Sequence, residues 1–541
     1  MKARIEECIV HSPFPAAEIP CCLFYEAAKE ALSKDPDKLA LADGTASATR
    51  RELFVRMQRY AAGFQKHGLG PGHRVCVHLG NNVDNFVAMW ACVFAGASVV
   101  LAKTSLTERE LHYQLRDSDS THILTEPAYA KKAAKAASSL QMKGFFATES
   151  TEGFVSTAEF RDLDEETFRE VPAQDPRSCV LCICYTSGTT GLPKGVVSTH
   201  YGFMANIATE GSCLCWEGRD VVLVASPITH ASGFIFITIG VLLGSTVVMT
   251  SPGSNLELVS QLVSKYKVTT LSILPGHLGL LVAEMQKSGS SLAGIRRISL
   301  SGGAFPETAR RIVQATFSDL ERVIHVYALT EAMGVVCSPS NYGTRGMDVG
   351  FPAPCSQIMI ADMVTRQKLG PNQTGEICFR TPTLFKEYYK RPKDTAETIG
   401  KDGWCKTGDA GYYDEDGRLY IVQRLKEMIK CMDNQVVPSE LEELILQEYS
   451  EHIFEVAVVG LGHAHYGEAP AAAVVLKENC GKKCDTEHLA KKIKATIADN
   501  LAVHKHLHGG VFFFDSLPKT DTGKVSRIAL AKACELKMPH Q

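Results

Sequence analysis

A chain of 541 residues is too long for one hydrophobic core and predicts at least two domains. Apolar residues make up 45% and charged residues 22%, which is ordinary for a globular protein. A formal charge of −3 from 57 basic and 60 acidic side chains, with no charge block, gives nothing that recruits nucleic acid or an anionic membrane.

The N-terminal third alternates helical and strand-like pieces. Phe24 to Leu32 has helical spacing, Leu39-Ala40-Leu41 is strand-like and Arg51 to His67 is helical again. Val75 to Leu79 reads as a strand, Asn85 to Phe94 as a helix and Ser98 to Leu101 as a strand. This rhythm predicts a layered α/β domain. The apolar run Val180-Leu181-Cys182-Ile183-Cys184 is a buried strand bounded by Asp175-Pro176. Val196-Val197 begins the next strand, and Thr199 is placed to N-cap a helix through Tyr201 to Thr209.

Ala231 to Met249 has no charged residue and is long enough to span a bilayer. Gly233, Gly240 and Gly244 interrupt it and it ends in the β-branched run Thr246-Val247-Val248, so a buried helix followed by a buried strand is expected and no transmembrane segment. Further strands are expected at 221–225, 269–274, 297–301, 322–327, 376–379 and 419–422. After Val422 a compact unit of its own follows, with a helix from Pro438, strands at 455–459, 471–476 and 511–514, and a helix carrying Leu489, Ile493 and Ile497. The expected fold is therefore α/β, with a large multi-layered N-terminal domain (1–423) and a small, mobile α+β C-terminal domain (424–541) joined by a hinge.

The eighteen cysteines are scattered through apolar runs, and Met1 to Val10 has two glutamates and no signal-peptide core. Free thiols in a reducing compartment are expected. The chain ends Met538-Pro539-His540-Gln541, without a Ser-Lys-Leu peroxisomal address, and a cytoplasmic location is expected.

Between the strand at 180–184 and Val196 lies Tyr185-Thr186-Ser187-Gly188-Thr189-Thr190-Gly191-Leu192-Pro193-Lys194-Gly195. Glycines admit an anion close to the backbone, loop N–H groups and four hydroxyls donate to phosphate oxygens, and Lys194 adds a mobile positive charge. The Walker pattern GxxxxGK[ST] does not thread through it.

This loop resembles the phosphate-binding signature of the acyl-adenylate-forming superfamily, which includes acyl- and aryl-CoA ligases, beetle luciferases and peptide-synthetase adenylation domains. The resemblance extends over about residues 20 to 535 through further ordered motifs. Ser301-Gly302-Gly303-Ala304-Phe305-Pro306 is similar to the family's backbone wall of the adenine pocket. Tyr327-Ala328-Leu329-Thr330-Glu331 resembles the stretch whose Thr contacts the α-phosphate and whose Glu helps hold Mg²⁺. His230, in Pro227-Ile228-Thr229-His230, resembles the position that gates the carboxylate, with Phe234 to Ile237 as the expected acid-pocket wall. No aspartate opens this segment, which disfavours an amino-acid substrate.

Trp404-Cys405-Lys406-Thr407-Gly408-Asp409 is similar to the motif whose Asp accepts both ribose hydroxyls. Arg424-Leu425-Lys426-Glu427 resembles the inter-domain hinge, with Arg424 on ribose or phosphate. Lys430-Cys431-Met432-Asp433-Asn434-Gln435-Val436 resembles the face used in the second half-reaction. It keeps Lys430 and Gln435 but replaces the family's glycine, where the pantetheine arm passes, with Asp433. Pro518-Lys519-Thr520-Asp521-Thr522-Gly523-Lys524 resembles the C-terminal loop whose lysine enters the active site, which makes Lys524 the expected catalytic lysine.

The resemblance implies an AMP-forming acid–thiol ligase using ATP, Mg²⁺ and coenzyme A on a small fatty or aryl carboxylic acid. Luciferase-like oxygenation through an adenylate and a catalytically silent nucleotide-binding relative are the alternatives. The motifs leave acid identity and oligomeric state open.

Overall fold

The apolar runs of the N-terminal two-thirds assemble into two sheets with parallel centres. The structure, a computed structural model, describes every residue except 173, 187–191, 214, 215, 217, 304, 340–346, 433, 464, 478, 479, 481–484, 521, 522 and 539–541. One sheet runs in the order Glu387–Tyr388, Gly195–Thr199, Val180–Tyr185, Ser98–Leu101, Arg74–His78, His122–Thr125, Gly144–Ala147, Val155–Ser156. The other runs Arg322–His325, Arg297–Leu300, Thr270–Ile273, Val221–Val224, Thr246–Met249, Leu39–Ala42, Ser47–Thr49. Their central strands bury both faces, which is why they read as continuous Val/Ile-rich runs rather than alternating ones.

Helices fill the space around these sheets. Val83–Phe94 is buried over almost its whole length, and its Trp90 is sandwiched by Phe24 and Phe234 at ring separations of 3.8 and 4.8 Å. The charge-free segment at 231–249 divides as the sequence predicts, into the helix Ala231–Leu242 and the strand Thr246–Met249. No helix among the described residues is long and apolar enough to cross a membrane.

An antiparallel six-stranded sheet, ending in Gly375–Arg380, Cys405–Tyr413 and Leu419–Arg424, completes the N-terminal domain. Its last strand continues two residues beyond the expected end at Val422, because Arg424 pairs with Asp409 across the ladder. The run expected as one strand over 322–327 is two. Val326 donates its last bond to Leu300 at 2.9 Å, and the chain then leaves the parallel sheet to pair Tyr327–Leu329 with Gly334–Ser338.

The C-terminal residues form a separate mixed sheet in which the hairpin Ile429–Cys431/Asn434–Val436 lies beside Gly467–Leu476 and Ile453–His463. Gly510–Phe514 adds on in parallel. The helices Pro438–Tyr449 and Thr486–Asn500 supply Leu441, Ile445, Leu489, Ile493 and Ile497 to a core that contains no N-terminal residue. The fold is thus α/β with a large N-terminal and a small C-terminal domain.

Candidate active site

The ribose-type aspartate is the most heavily built position. Asp409 is buried in the strand Cys405–Tyr413. One of its oxygens accepts from Arg424 Nε at 2.8 Å and the other from the Tyr327 hydroxyl. The motif before it explains the placement. Gly408 adopts φ +70°, which favours glycine, and Thr407 Oγ1 donates to the Ile377 carbonyl while accepting from the Asp409 N–H. Burial pushes the Asp409 carboxyl up, against the pull of Arg424 and Tyr327. Each carboxylate oxygen has a second lone-pair direction, so the pair with Arg424 fixes orientation without exhausting its acceptor capacity.

Lys524 reaches this aspartate from the other domain. Its loop is a tight hairpin in which Thr520 and Lys524 pair through the backbone at 2.7 Å and Gly523 bonds back to Thr520 at 2.8 Å. The lysine stem passes Gly302, where a β-carbon would stand 3.7 Å from Lys524 Cε and 3.8 Å from Nζ. Gly302 itself has φ +77°. Lys524 is itself exposed. Even so, desolvation by the cleft walls and then Arg424 hold its ammonium below the usual lysine range, opposed by Asp409 and Glu427. Lys524, Gly302, Gly303, Asp409, Arg424 and Tyr327 are therefore gathered in one cleft from segments of both domains. Ala304 lies outside the described residues.

The hydroxyl-rich loop is closed at its neck. Thr186 and Lys194 exchange a backbone bond of 3.0 Å, and the Lys194 N–H also donates to Thr186 Oγ1. Tyr185 is tied to Asp117 at 2.9 Å, and Tyr113 donates to the Pro193 carbonyl at 2.8 Å. Ser187, Gly188, Thr189, Thr190 and Gly191 lie outside the described residues. Lys194 Nζ pairs with Asp394 at 3.1 Å and sits 5.1 Å above the Tyr388 ring.

Tyr388 connects this loop to the second nucleotide motif, because its hydroxyl donates to Glu331 at 2.7 Å. Burial first, and Glu331 second, drive the Tyr388 phenol far above its ordinary range, so it stays a donor. Thr330 and Glu331 form a single 3-10 turn, Thr330–Ala332, and the Glu331 carbonyl is held by the Phe385 N–H.

His230 N-caps the helix Ala231–Leu242, with Nδ1 2.8 Å from Ser232 Oγ. The residues expected to wall an acid pocket, Phe234 to Ile237, are buried and join the main hydrophobic cluster. That helix is apolar on every side, so each of its faces packs, and Phe234 lies against Trp90 and Phe203.

Lys430 and Gln435 are exposed cross-strand partners on the C-terminal hairpin. The Lys430 N–H is held by Glu468 at 2.7 Å, and none of the contacts that gather the Asp409 cleft involves either side chain. Asp433 lies outside the described residues. The junction is held by Glu427, which accepts from Gln423 at 2.9 Å and pairs with Arg527 at 3.2 Å. Gln423, where an aspartate is frequent in the family, thus has a partner of its own.

Sequence reasoning missed Tyr388, Asp394 and Asp117. None lies in a glycine-rich or family-like motif, and each reaches the site through long-range pairing. Tyr388 arrives only because it pairs with Val196 at the edge of the first sheet.

Comparisons with known proteins bear on the family and the fold. Residues 28–389 match the family model described as "AMP-binding enzyme", and residues 440–524 match "AMP-binding enzyme C-terminal domain". The chain is similar to 4-coumarate–CoA ligase 5 of Oryza sativa subsp. japonica, at 31% identity over 96% of each chain. It is also similar to a 4-coumarate–CoA ligase of Pinus taeda, at 30% identity over 92% of each. The fold resembles ATP-bound MatB from Rhodopseudomonas palustris with a TM-score of 0.83 at 24% identity, covering 94% of this chain and 98% of that one. With both domain models matched in order and the cleft built between them, the chain belongs to the AMP-binding enzyme family.

Proposed function

We propose that the chain is an AMP-forming acid–CoA ligase. The observation that carries this reading is the placement of Lys524 beside Gly302, Asp409 and Arg424, which joins two domains into one site. In the first step a carboxylate oxygen of the acid attacks the α-phosphorus of ATP. The bond to the β-phosphate oxygen breaks, and an acyl-adenylate and pyrophosphate result. In the second step the thiol sulfur of coenzyme A, having lost its proton, attacks the acyl carbon and AMP leaves.

The chain's own contribution to the first step is positioning and charge neutralisation. Asp409 takes the ribose hydroxyls, with Arg424 and Tyr327 fixing its two oxygens. Gly302, Gly303 and Ala304 form the flat wall for adenine. Thr186 to Gly191 and Lys194 hold the outer phosphates, Thr330 the α-phosphate, and Lys524 the oxygens on which charge builds. His230 orients the acid at the start of its helix.

Glu331 would hold Mg²⁺. Among the described residues no group of three metal-binding side chains exists, and one carboxylate suits a hard cation whose remaining ligands are phosphate oxygens and water. Bound there, the ion neutralises the leaving pyrophosphate. For the second step we place the domain boundary at 423/424 and the pivot at Lys426. Rotation about it exchanges Lys524 for the Lys430–Gln435 face. The described cysteines are free thiols, which supports a reducing, cytoplasmic setting.

The test is incubation with ATP, Mg²⁺, coenzyme A and a panel of fatty and aryl acids, read by AMP release and by thioester mass. Acid-dependent AMP together with a thioester is expected. No AMP with any acid overturns the reading, and AMP without thioester confines the activity to the first step.

A further inference from the structure

Two polar side chains of the helix His200–Cys213 face the backbone that follows the Thr330–Glu331 turn. Asn206 and Glu210 are one helical turn apart, so they share a face, and both are fully buried. Asn206 Nδ2 donates to the Met333 carbonyl, and Glu210 Oε1 accepts from the Val335 N–H at 2.8 Å. Between these two bonds lies Gly334, where a β-carbon would overlap both Glu210 Oε1 and Asn206 Oδ1. Met333 is left-handed at φ +45°. The same helix begins directly after the strand Gly195–Thr199 that closes the phosphate loop, and Thr199 Oγ1 accepts from Gly202 N–H at 3.1 Å.

We propose that Asn206 and Glu210 are positioning residues that clamp the 333–335 backbone, and thereby hold Thr330 and Glu331 in register with the phosphate loop at the head of their helix. The proposal rests on the ligase reading only for what the turn binds.

The clamp works with Glu210 neutral. Asn206 Oδ1 and Glu210 Oε2 have no donor among the described residues, and the proton of a neutral carboxyl beside Asn206 is the donor this pair lacks. Burial pushes the Glu210 carboxyl up to about 8, against the Val335 hydrogen bond. The elements packed most closely on this helix are Phe24–Ser33, Val180–Tyr185, Gly195–Thr199, Ala231–Leu242 and Gly334–Ser338. Their titratable groups are Tyr25, Glu26, Lys29, Glu30, Cys182, Cys184, Tyr185 and Cys337. The helix itself adds His200 and Tyr201. None of these contributes to the Glu210 shift, which comes from burial and the Val335 bond. The native state therefore binds a proton that the unfolded chain releases above its lower carboxylate pKa, and stability falls as pH rises from about 4.5 to about 8.

The experiment uses the full chain with Glu210→Gln, Glu210→Leu and Asn206→Leu. Thermal unfolding is followed from pH 5 to 9, Mg-ATP binding is measured by calorimetry without acid, and AMP release is measured with the acid that wild type uses. Glu210→Gln keeps an acceptor for Val335 and a donor for Asn206 at every pH. It should bind Mg-ATP within about twofold of wild type and lose the wild-type fall in melting temperature between pH 5 and 8; every other titrating group is common to both proteins, so the difference isolates Glu210. Glu210→Leu and Asn206→Leu should weaken Mg-ATP binding about tenfold through a displaced Glu331. Unchanged Mg-ATP binding in the folded leucine variants, or a melting profile of Glu210→Gln parallel to wild type, overturns the clamp. Wild-type Mg-ATP binding without AMP release from any acid overturns the ligase reading and leaves the binding arm to decide the clamp.

Discussion

Gly276 and Gly523 meet across the two domains, so closely that a β-carbon on Gly276 would stand 2.5 Å from the Gly523 carbonyl oxygen. Gly276 opens the helix Pro275–Ser288, and Gly523 immediately precedes Lys524. His277 packs on the same loop, where a β-carbon on Gly523 would lie 2.9 Å from its ring. This shelf seats the lysine loop, and only two residues without side chains allow the approach. Gly276→Ala should lift the loop and displace Lys524 by a fraction of a residue. A misplacement near 1 Å at a reacting centre costs on the order of 10²-fold, so acid-dependent pyrophosphate release should fall by roughly ten- to a hundredfold. Thioester formation from a supplied acyl-adenylate would use the other domain arrangement in the proposed cycle and should then be spared. Equal loss of both half-reactions would refute the shelf.

Lys524 itself gives the sharper test. Its ammonium is crowded by Arg424 as well as attracted by Asp409, a repulsion that a phosphate bound between the two cations, as proposed, would relieve. Lys524→Ala should therefore leave folding intact and reduce adenylation by ~10²-fold or more, about 2.7–4 kcal/mol on the scale of one preorganised donor. Pyrophosphate release at the wild-type rate would remove Lys524 from the reaction.

The contrast between Lys524 and Lys194 shows what the sequence could tell. Asp409, Tyr327 and Gly302 sit in short motifs that the structure brings into one cleft, and their placement was legible because local backbone geometry, such as φ +70° at Gly408, is written in adjacent residues. Lys194 was legible, but its partners Asp394 and Tyr388 were not. They come to it through an edge-strand pairing of Val196 with Tyr388, and strand partners far apart in sequence leave no local mark. The run at 322–327 misled for a related reason. Its apolar pattern continues without a break, while the chain changes sheets at Val326 to bring Tyr327 onto Asp409. The 234–237 segment was correctly apolar, yet apolarity alone does not separate a substrate wall from a core helix.

That core assignment is measurable. Phe234 is fully buried and stacks on Trp90, with Phe203 on its flank. Phe234→Ala removes a large ring from between two aromatic neighbours, and a cavity there should lower stability by about 3–5 kcal/mol. Denaturant unfolding of the variant should show the midpoint shift. A loss confined to acid affinity, with stability unchanged, would return Phe234 to the pocket wall.

Tyr388 binds the two nucleotide motifs into one unit, with its ring under Lys194 and its hydroxyl on Glu331. Tyr388→Phe keeps the first contact and removes the second. A hydrogen bond to a charged acceptor is worth about 1.5–3 kcal/mol, and its loss would free Glu331 to turn away from the phosphates it is proposed to face. The KM for Mg-ATP should rise about tenfold or more, while the KM for the acid stays within about twofold. If Glu331 holds Mg²⁺ as proposed, the effect should shrink at saturating Mg²⁺, because the ion would then hold the carboxylate in place of the phenol. A change in acid KM alone would place Tyr388 on the substrate side of the cleft and separate Glu331 from it.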